Sequence, residues 1–538
     1  MGFPQSSRIM LSTLIEGLLV SYKCPQIRVE GITLDSRKVA PGFVFVALQG
    51  TDKDGRAYIP EAVKRGAVAV LIDLEKCKKT SVASFYERFK TTIPILEVKN
   101  LPKKLSLIAA RFYGDPSTKL KVTAITGTNG KTTCAHLYAN LSALYQKKVR
   151  RKNTENHCGY VGTLGHGKAT LINKLESDKS VENILTSSQL TTPDAISMQF
   201  ILDDLRSDGC DNVVLEASSH ALQQHRIADV SIDTAIFTNL SRDHLDYHGD
   251  LKSYAAAKRK LFAMPGLKNA VINIDDELGK SILTTLDPAV RVVTYSLENI
   301  TADIYCQSMS FSTEGLEAYI QTPWGSGRIV SSLLGRFNLC NLLAVIASFI
   351  INNQDIKYEN FPSILDIIAL LDPVEGRMEL VRGSSGPGPS VIVDYAHTPD
   401  ALEKVLKALR LHCKGYLWVV FGCGGDRDIG KRSQMGSIAK AKADKIIVTS
   451  DNPRSENSRK IIEDIVDGIN SAVTIEVDRR EAIILAISSA SDNDIVLIAG
   501  KGHEKYQIIG SKKVHFSDKQ EASLALAQRY CQSGGVAR

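Results

Sequence analysis

No apolar run in this 538-residue chain reaches the roughly 18 residues that a bilayer-spanning helix needs. The best candidate, Leu339–Ile351, is short and carries Asn341. The stretch Ile9–Val20 contains Glu16, with no cationic run upstream and no cleavage site, so it is expected to be a buried helix rather than a signal peptide. Cysteine is sparse as well. Ten thiols from Cys24 to Cys531 form no Cys-x-x-Cys pair, which speaks against a disulfide framework and fits a reducing, cytoplasmic compartment. An excess of one charge sign is missing too. The net charge of +7 is small for the length and gathers in no tail, so nucleic acid is not an expected partner and anionic small substrates suit it equally well. There is no internal repeat and no low-complexity tract. What is present, 43% hydrophobic and 23% charged residues, is ordinary for a globular protein.

At roughly 100–200 residues per domain the chain predicts several domains. The first, 1–116, ends at the turn Gly114-Asp115-Pro116-Ser117 and holds a buried strand at Val44–Leu48, a helix at Ala62–Gly66 and a strand at Ala67–Ile72. The second, 117–371, predicts strands at Val213–Leu215, Ala235–Phe237 and Ala270–Ile272 with helices between, as in an open α/β sheet. Basic residues Lys147–Asn156 read as a surface loop. The third, 372–538, alternates strands (Val391–Val393, Leu417–Phe421, Lys445–Val448, Ile495–Ile498) with helices at Asp400–Leu411 and Ser458–Asn470, which predicts a doubly wound, Rossmann-like α/β sheet. Its polar clusters sit at strand carboxyl ends: Asp394–His397, Gly424–Arg427, Asp451–Arg454 and Gly500–Glu504.

The most informative segment is Ile125-Thr126-Gly127-Thr128-Asn129-Gly130-Lys131-Thr132-Thr133, between a strand-like run and a helix-like run. Such a turn aims backbone amides and the positive end of a helix at a phosphate chain. Lys131 can reach the outer phosphates and the Thr132 hydroxyl can join Mg²⁺. The full phosphate-loop pattern would need Gly where Ile125 stands, so the loop is a shortened one, and ATP is the expected ligand.

Glu216-Ala217-Ser218-Ser219-His220 follows one strand, and Asn239-Leu240-Ser241-Arg242-Asp243-His244 follows the next. Glu216 and His244 beside a phosphate loop form a candidate Mg²⁺ site. Each taken alone reads as a helix-start carboxylate or a loop histidine. His244 and His248 have zinc-like spacing. His503-Glu504 begins a zinc-protease pattern that fails at Gln507, so zinc is not expected.

Thr126–Thr133, Glu216–His220, Asn239–Gly249 and Gly335-Arg336-Phe337-Asn338-Leu339-Cys340-Asn341 occur in the order seen in the Mur ligases, which the chain resembles from about Leu34 to Glu521. Within that family it is most similar to members that add meso-diaminopimelate to UDP-N-acetylmuramoyl-L-alanyl-D-glutamate. The resemblance implies three α/β domains with a central ATP-binding sheet, and ATP-driven amide formation through an acyl phosphate in peptidoglycan synthesis, with the chain acting as a monomer. It implies ATP contacts at Gly127–Thr133, Asn338, Asn341, Arg377 and Asp394, and Mg²⁺ near Thr132, Glu216 and His244. Lys131, Lys258, Glu216 and His244 would be catalytic, with Lys258, as a carbamate, also at the metal. A bare ammonium about 4 Å from a metal would repel each of its charges by about 4 kcal/mol, whereas a carbamate adds an anionic oxygen. Without the resemblance, Lys258 reads as a surface lysine on an amphipathic helix with Lys260.

The resemblance further assigns Leu34 and Ser36, in Leu34-Asp35-Ser36-Arg37, to the UDP-sugar. Thr191, Thr192, Ser218, Gln224 and Arg226 would hold the muramoyl-dipeptide end, although Thr191 and Thr192 also read as helix caps before Asp194. Leu190 stands where some relatives carry Asn. Asp451-Asn452-Pro453-Arg454, with Arg427, Gly500 and Glu504, would select meso-diaminopimelate: Arg454 would grip its far carboxylate and Glu504 its distal ammonium. Lysine would leave that guanidinium unpaired at about 3–5 kcal/mol, or about two to three decades of discrimination. Asp451 also reads as a turn former. Glu456-Asn457-Ser458 replaces the Glu-Asp-Pro common in relatives, a departure expected to touch the next helix start. A site split between domains implies closure over ATP. The alternatives are a lysine-adding ligase, a folylpolyglutamate synthetase, and a non-catalytic ATP-binding regulator.

Overall fold

The computed structural model describes residues 9–19, 24–50, 54–74, 93–150, 157–169, 185–187, 190–353, 358–381 and 388–532, with Phe89, Thr91 and Ile356. It forms two compact units, Met1–Tyr295 with Ala344–Asp355, and Ser296–Leu343 with Ile356–Arg538.

The first unit begins with a parallel sheet in the order Gly31–Thr33, Phe43–Ala47, Ala69–Ile72, Ile95–Glu97. Phe43–Ala47 is buried throughout because alternate residues enter two cores. Val44 and Val46 pack towards helix Leu101–Tyr113, and Phe43, Phe45 and Ala47 towards helix Ile59–Lys64. The expected helix over Ile9–Val20 is only partly formed: Ile9–Met10 is a strand and Leu11–Leu14 a single helical turn, and Val20 lies outside the described residues.

A second sheet of this unit runs in the order Arg291–Ser296, Asn269–Asn273, Thr234–Phe237, Lys121–Thr126, Cys210–Glu216, His157–Gly162, Gly165–Lys168. Its pairs are parallel except the last. Lys121–Thr126 is central and buried after its first residue, which sets the following loop at the carboxyl edge of the sheet. Helix Lys131–Tyr145 leaves from that loop. Part of the expected surface loop is instead a π-helical turn, Gln146–Arg150, continuing this helix with Lys147 and Lys148 exposed; residues 151–156 lie outside the described residues.

The second unit contains antiparallel strands Ile304–Ser312, Gly315–Thr322 and Gly325–Ser331. It also contains a sheet in the order Glu379–Val381, Ser390–Asp394, Ile495–Ala499, Leu417–Phe421, Lys445–Val448, Thr474–Ile475, parallel except for its first pair. Strand residues alternate between two layers. Ile392, Val419 and Leu497 face helices Pro399–Arg410, Gly430–Lys442 and Ser458–Ile469, while Val393, Val420 and Ile498 face Arg479–Ser489 and Asp518–Gln532. This is the expected doubly wound sheet. A hairpin, Tyr506–Ile509 with Lys512–His515, follows its last central strand.

Candidate active site

In the first unit the phosphate-loop segment is held open by its neighbours. Gly127 has φ +157°, and a Cβ there would stand 1.9 Å from Thr238 Oγ1, so no other residue fits without movement. The Thr128 amide donates to Asn239 O at 2.8 Å and the Asn129 amide to Asn239 Oδ1 at 3.0 Å. Thr128 Oγ1 accepts from the Ser241 amide at 2.9 Å and from the Tyr254 hydroxyl at 3.2 Å. The amides of Thr128 and Asn129 are thus engaged within the fold. Helix Lys131–Tyr145 starts after Gly130, at φ +88°, with no side-chain cap. A helix start without a side-chain cap turns its positive dipole end towards an anion.

Thr132 and Glu216 meet there. Thr132 Oγ1 donates to Glu216 Oε2 at 2.8 Å. Glu216 is buried and also accepts from the Tyr160 hydroxyl at 2.9 Å, the Thr163 amide at 2.8 Å and Thr163 Oγ1 at 3.1 Å. The helix-start reading of Glu216 fails, because Ser218 Oγ caps helix Ser219–Gln223 by accepting from the Ala221 amide. Tyr160 and Thr163, which no motif marks, complete this carboxylate's surroundings.

His244 is not brought onto Glu216. It adopts φ +52° at the start of a short helix, with Nε2 3.4 Å from Asp243 Oδ2 and its ring 4.8 Å from that of His220. His248 Nε2 is 3.0 Å from Ser219 Oγ. No group of three or more His, Cys, Asp or Glu side chains among the described residues forms a metal cage. The Thr132, Thr163 and Glu216 oxygens suit a hard cation that keeps waters and shares phosphates.

Lys258 is buried, so the surface-lysine reading is corrected. Its Nζ donates to Gly127 O at 2.7 Å and lies 4.2 Å over the Tyr254 ring. Burial first, and then the neighbouring Lys131, hold its pKa well below the usual lysine value. Lys131 Nζ donates to Gly127 O and Thr128 O, each at 2.9 Å. Burial also pushes the Tyr254 hydroxyl up to about 12.

The expected dipeptide-side residues form one network with these. Thr163 Oγ1, whose proton goes to Glu216, lies 3.2 Å from Thr191 Oγ1 and can accept from it, and Thr192 Oγ1 donates to Glu216 O at 2.6 Å while accepting the Ser218 amide at 3.0 Å. The Arg226 guanidinium donates to Thr192 O at 2.8 Å and to Gln224 Oε1 at 2.6 Å; Gln224 Nε2 donates to the Tyr247 hydroxyl at 3.0 Å. Burial lowers the Arg226 pKa. The cap of helix Ala195–Ser207 is Asp194, not a threonine. In the N-terminal sheet region Ser36 Oγ donates to Glu61 Oε2 at 2.7 Å, and Asp35 is chelated by Arg37 at 2.8 and 2.9 Å. The Leu34 side chain packs against the local core, leaving its backbone for any ligand.

The second unit holds the remaining candidates. Asn338 Nδ2 donates to Leu334 O at 2.8 Å and Asn341 Nδ2 to Asn338 Oδ1 at 3.1 Å. Arg377 lies 4.6 Å over the Tyr395 ring. Asp394 accepts the Met378 and Ala396 amides, each at 2.8 Å; burial raises its pKa and Arg377 opposes the rise. Asp451 and Asn452 are buried around Lys501, which is fully enclosed. Lys501 Nζ donates to Asp451 Oδ1 at 3.1 Å and Asn452 Oδ1 at 3.0 Å, and stands 3.7 Å from Glu504 Oε2. Asn452 Nδ2 donates to Glu504 Oε2 at 3.1 Å. Asp451 is therefore an ion-pair partner rather than a simple turn former. Gly500, at φ +120°, donates its amide to Asp394 O at 3.0 Å. Pro453 is buried, and Arg454 follows it at φ +51° with Nη1 donating to Gly425 O at 2.7 Å. Arg427 is exposed. Asn457 caps helix Ser458–Ile469 by accepting the Arg459 amide at 2.9 Å, so the departure at this position does fall on the helix start.

Comparison with known proteins agrees with this arrangement. The Mur ligase family catalytic-domain model matches residues 28–113, the Mur ligase middle-domain model 125–349, and the Mur ligase glutamate ligase domain model 376–502. A UDP-N-acetylmuramoyl-L-alanyl-D-glutamate–2,6-diaminopimelate ligase of Coxiella burnetii is 42% identical over 93% of this chain and 96% of its own length. A like-named ligase of Pseudomonas syringae pv. tomato is 45% identical over 92% of this chain and 94% of its own. A solved structure of a ligase with that name has a TM-score of 0.68 at 34% identity, covering 96% of this chain and 99% of the other. The chain belongs to the Mur ligase family.

Proposed function

We propose that this chain is an ATP-dependent amide ligase that adds meso-diaminopimelate to UDP-N-acetylmuramoyl-L-alanyl-D-glutamate in peptidoglycan synthesis. The observation that carries the reading is the Thr132–Glu216 contact at 2.8 Å beside an uncapped helix start. In the proposed reaction the γ-phosphoryl group of ATP passes to the free carboxylate of the D-glutamyl residue, giving an acyl phosphate and ADP. The diacid's amine attacks the acyl carbon, and the tetrahedral adduct expels phosphate as the amine loses its proton.

Lys131 and the amides of the first helical turn would bind the phosphates. Mg²⁺, when bound with ATP, would be held by Thr132 and Glu216 and would neutralise charge on the moving group. His244 stands apart from that pair and would reach the metal only through a change of conformation or a water. The depressed pKa of Lys258 supplies the neutral amine that carbamylation requires, and this supports the proposed modification.

Thr191, Thr192, Ser218, Gln224 and Arg226 would bind the dipeptide end, Leu34 and Ser36 the UDP-sugar, and Asn338, Asn341, Arg377 and Asp394 the nucleotide. Asp451–Arg454, Arg427, Gly500 and Glu504 would bind the diacid. Arg454 suits the far carboxylate because its guanidinium donates to a neutral carbonyl and pairs with no carboxylate among the described residues. The three family-model matches support domains at 1–116, 117–371 and 372–538. ATP and a UDP-linked sugar are soluble metabolites of the cell interior, which supports a cytoplasmic enzyme.

Phosphate release with ATP, Mg²⁺ and the UDP-dipeptide, comparing meso-diaminopimelate with L-lysine, tests the reading. At least a hundredfold preference for diaminopimelate, lost in Arg454→Ala, is expected. Equal use of lysine would remove the role given to Arg454. Absence of release with either amine would remove the ligase reading.

A further inference from the structure

His412, just beyond helix Pro399–Arg410, is buried and uses both ring nitrogens on one distant stretch of its own unit. Nδ1 lies 2.5 Å from Ser312 O, and Nε2 lies 2.8 Å from the Gly335 amide nitrogen. A carbonyl only accepts and an amide only donates, so the ring is fixed as the neutral tautomer with its proton on Nδ1. Its face and edge are also fixed, by a T-shaped contact with Phe311 at 5.1 Å between centroids.

The Gly335 end of this bridge is tightly built. Gly335 has φ +89°, and a Cβ there would stand 3.0 Å from Ala408 Cβ, on the helix that leads to His412. From Gly335 the hydrogen bonds continue into the helix Arg336–Asn352. Gly335 O accepts the Asn338 amide at 3.0 Å, Leu334 O accepts Asn338 Nδ2 at 2.8 Å, and Asn338 Oδ1 accepts Asn341 Nδ2 at 3.1 Å. The Gly335 N–H, one residue ahead of the helix, is a buried donor that needs a partner. Here the acceptor for the amide at the turn comes from a residue 77 positions away.

We infer that His412 is a positioning residue for the nucleotide: it fixes where the helix bearing Asn338 and Asn341 begins, and so how those amides are presented. This rests on the ligase reading, which gives Asn338 and Asn341 to the nucleotide. Burial keeps water from replacing the imidazole, so removing the acceptor leaves the Gly335 N–H unsatisfied and the turn free to shift.

Two substitutions separate the ring's halves. His412→Gln offers Oε1 near the Nε2 position and keeps an acceptor for Gly335. His412→Asn offers Nδ2 near the Nδ1 position and keeps only the donor to Ser312. Phe311→Ala removes packing on the ring while leaving both hydrogen bonds. KM for ATP, KM for the UDP-dipeptide and Tm are measured for each.

His412→Asn is expected to raise KM for ATP about tenfold, the effect of one buried hydrogen bond, with KM for the UDP-dipeptide within about twofold. His412→Gln and Phe311→Ala are expected to keep KM for ATP near the parent value, though Tm falls in all three. Unchanged KM for ATP in His412→Asn overturns the inference, as does a rise of all KM values in step with lost Tm. If His412→Asn does not fold, His412→Gln decides: retained KM for ATP supports the role, and a tenfold rise overturns it. If the parent protein releases no phosphate, the ligase reading has failed instead. ADP affinity by calorimetry on the same variants then tests His412 alone, with the same two outcomes.

Discussion

The phosphate-loop region and the Lys501 region solve opposite electrostatic problems. Around the loop the side chains are spent mainly on neutral partners: Lys131 and Lys258 donate to backbone carbonyls, and Glu216 accepts from hydroxyls and an amide. Around Lys501 the charges answer one another inside the protein, with Asp451 at 3.1 Å and Glu504 at 3.7 Å from one enclosed ammonium. In the proposed reaction the first region receives a polyanion and a metal, for which donors not already neutralised by carboxylates are an advantage. The second region, proposed to bind a zwitterionic diacid, gains from both signs held ready, and a buried lysine can hold two carboxylates together without leaving either unpaired. The lesson is that the first region should answer mutation mainly in turnover, and the second mainly in acceptor affinity and stability.

The sharpest way to break this contrast is at Glu216. Glu216→Ala is expected to lower kcat for phosphate release by about a thousandfold or more, since it removes the carboxylate proposed to hold Mg²⁺ beside the transferred group. KM for diaminopimelate should move little, and a large rise there would erase the distinction. Next in size, Lys501→Met should destabilise the protein by about 3–5 kcal/mol, because Asp451 and Glu504 lose their buried counter-charge. Urea unfolding measures that loss, and KM for diaminopimelate should rise while KM for ATP stays put.

Lys258 sharpens the comparison through pH. Its folded pKa is depressed, so between that value and the ordinary lysine value of 10.5 the unfolded chain binds more protons than the native one. Stability therefore climbs as pH rises through this window. Lys258→Met should flatten the climb in unfolding curves taken at successive pH values, and an unaltered slope would mean the buried amine is not its source. The smallest effect is expected at Asn457→Ala, about 1 kcal/mol from a lost helix cap, with the diaminopimelate-to-lysine ratio unchanged.

These contrasts also show why parts of the site were legible in the sequence. The phosphate loop could be read because its residues are contiguous between a buried strand and a helix, so local chemistry implies geometry. The doubly wound sheet could be read because its strands are apolar runs buried on both faces. Thr163 could not: it reaches Glu216 across 53 positions with no motif around it. Nothing in the sequence around Lys501, within Gly500–Glu504, shows that it is enclosed; only the fold buries it. The strands Ile304–Ser331 escaped notice because Gln307, Ser308, Ser310 and Ser312 leave little apolar signal. His244 was joined to Glu216 by the proximity of their strand ends, but its left-handed backbone turns it to Asp243 and His220.

The bare start of helix Lys131–Tyr145 carries a consequence for engineering and for ligand discovery. A designer seeking a hardier protein would put an aspartate or serine ahead of that helix, and the gain would come from filling the seat an incoming phosphate should take. Natural anions that take the seat supply the absent cap themselves, so occupancy should register as a rise in melting temperature that grows with the logarithm of concentration. A library of phosphate mimics could then be ranked by heating alone, without any second substrate in the tube.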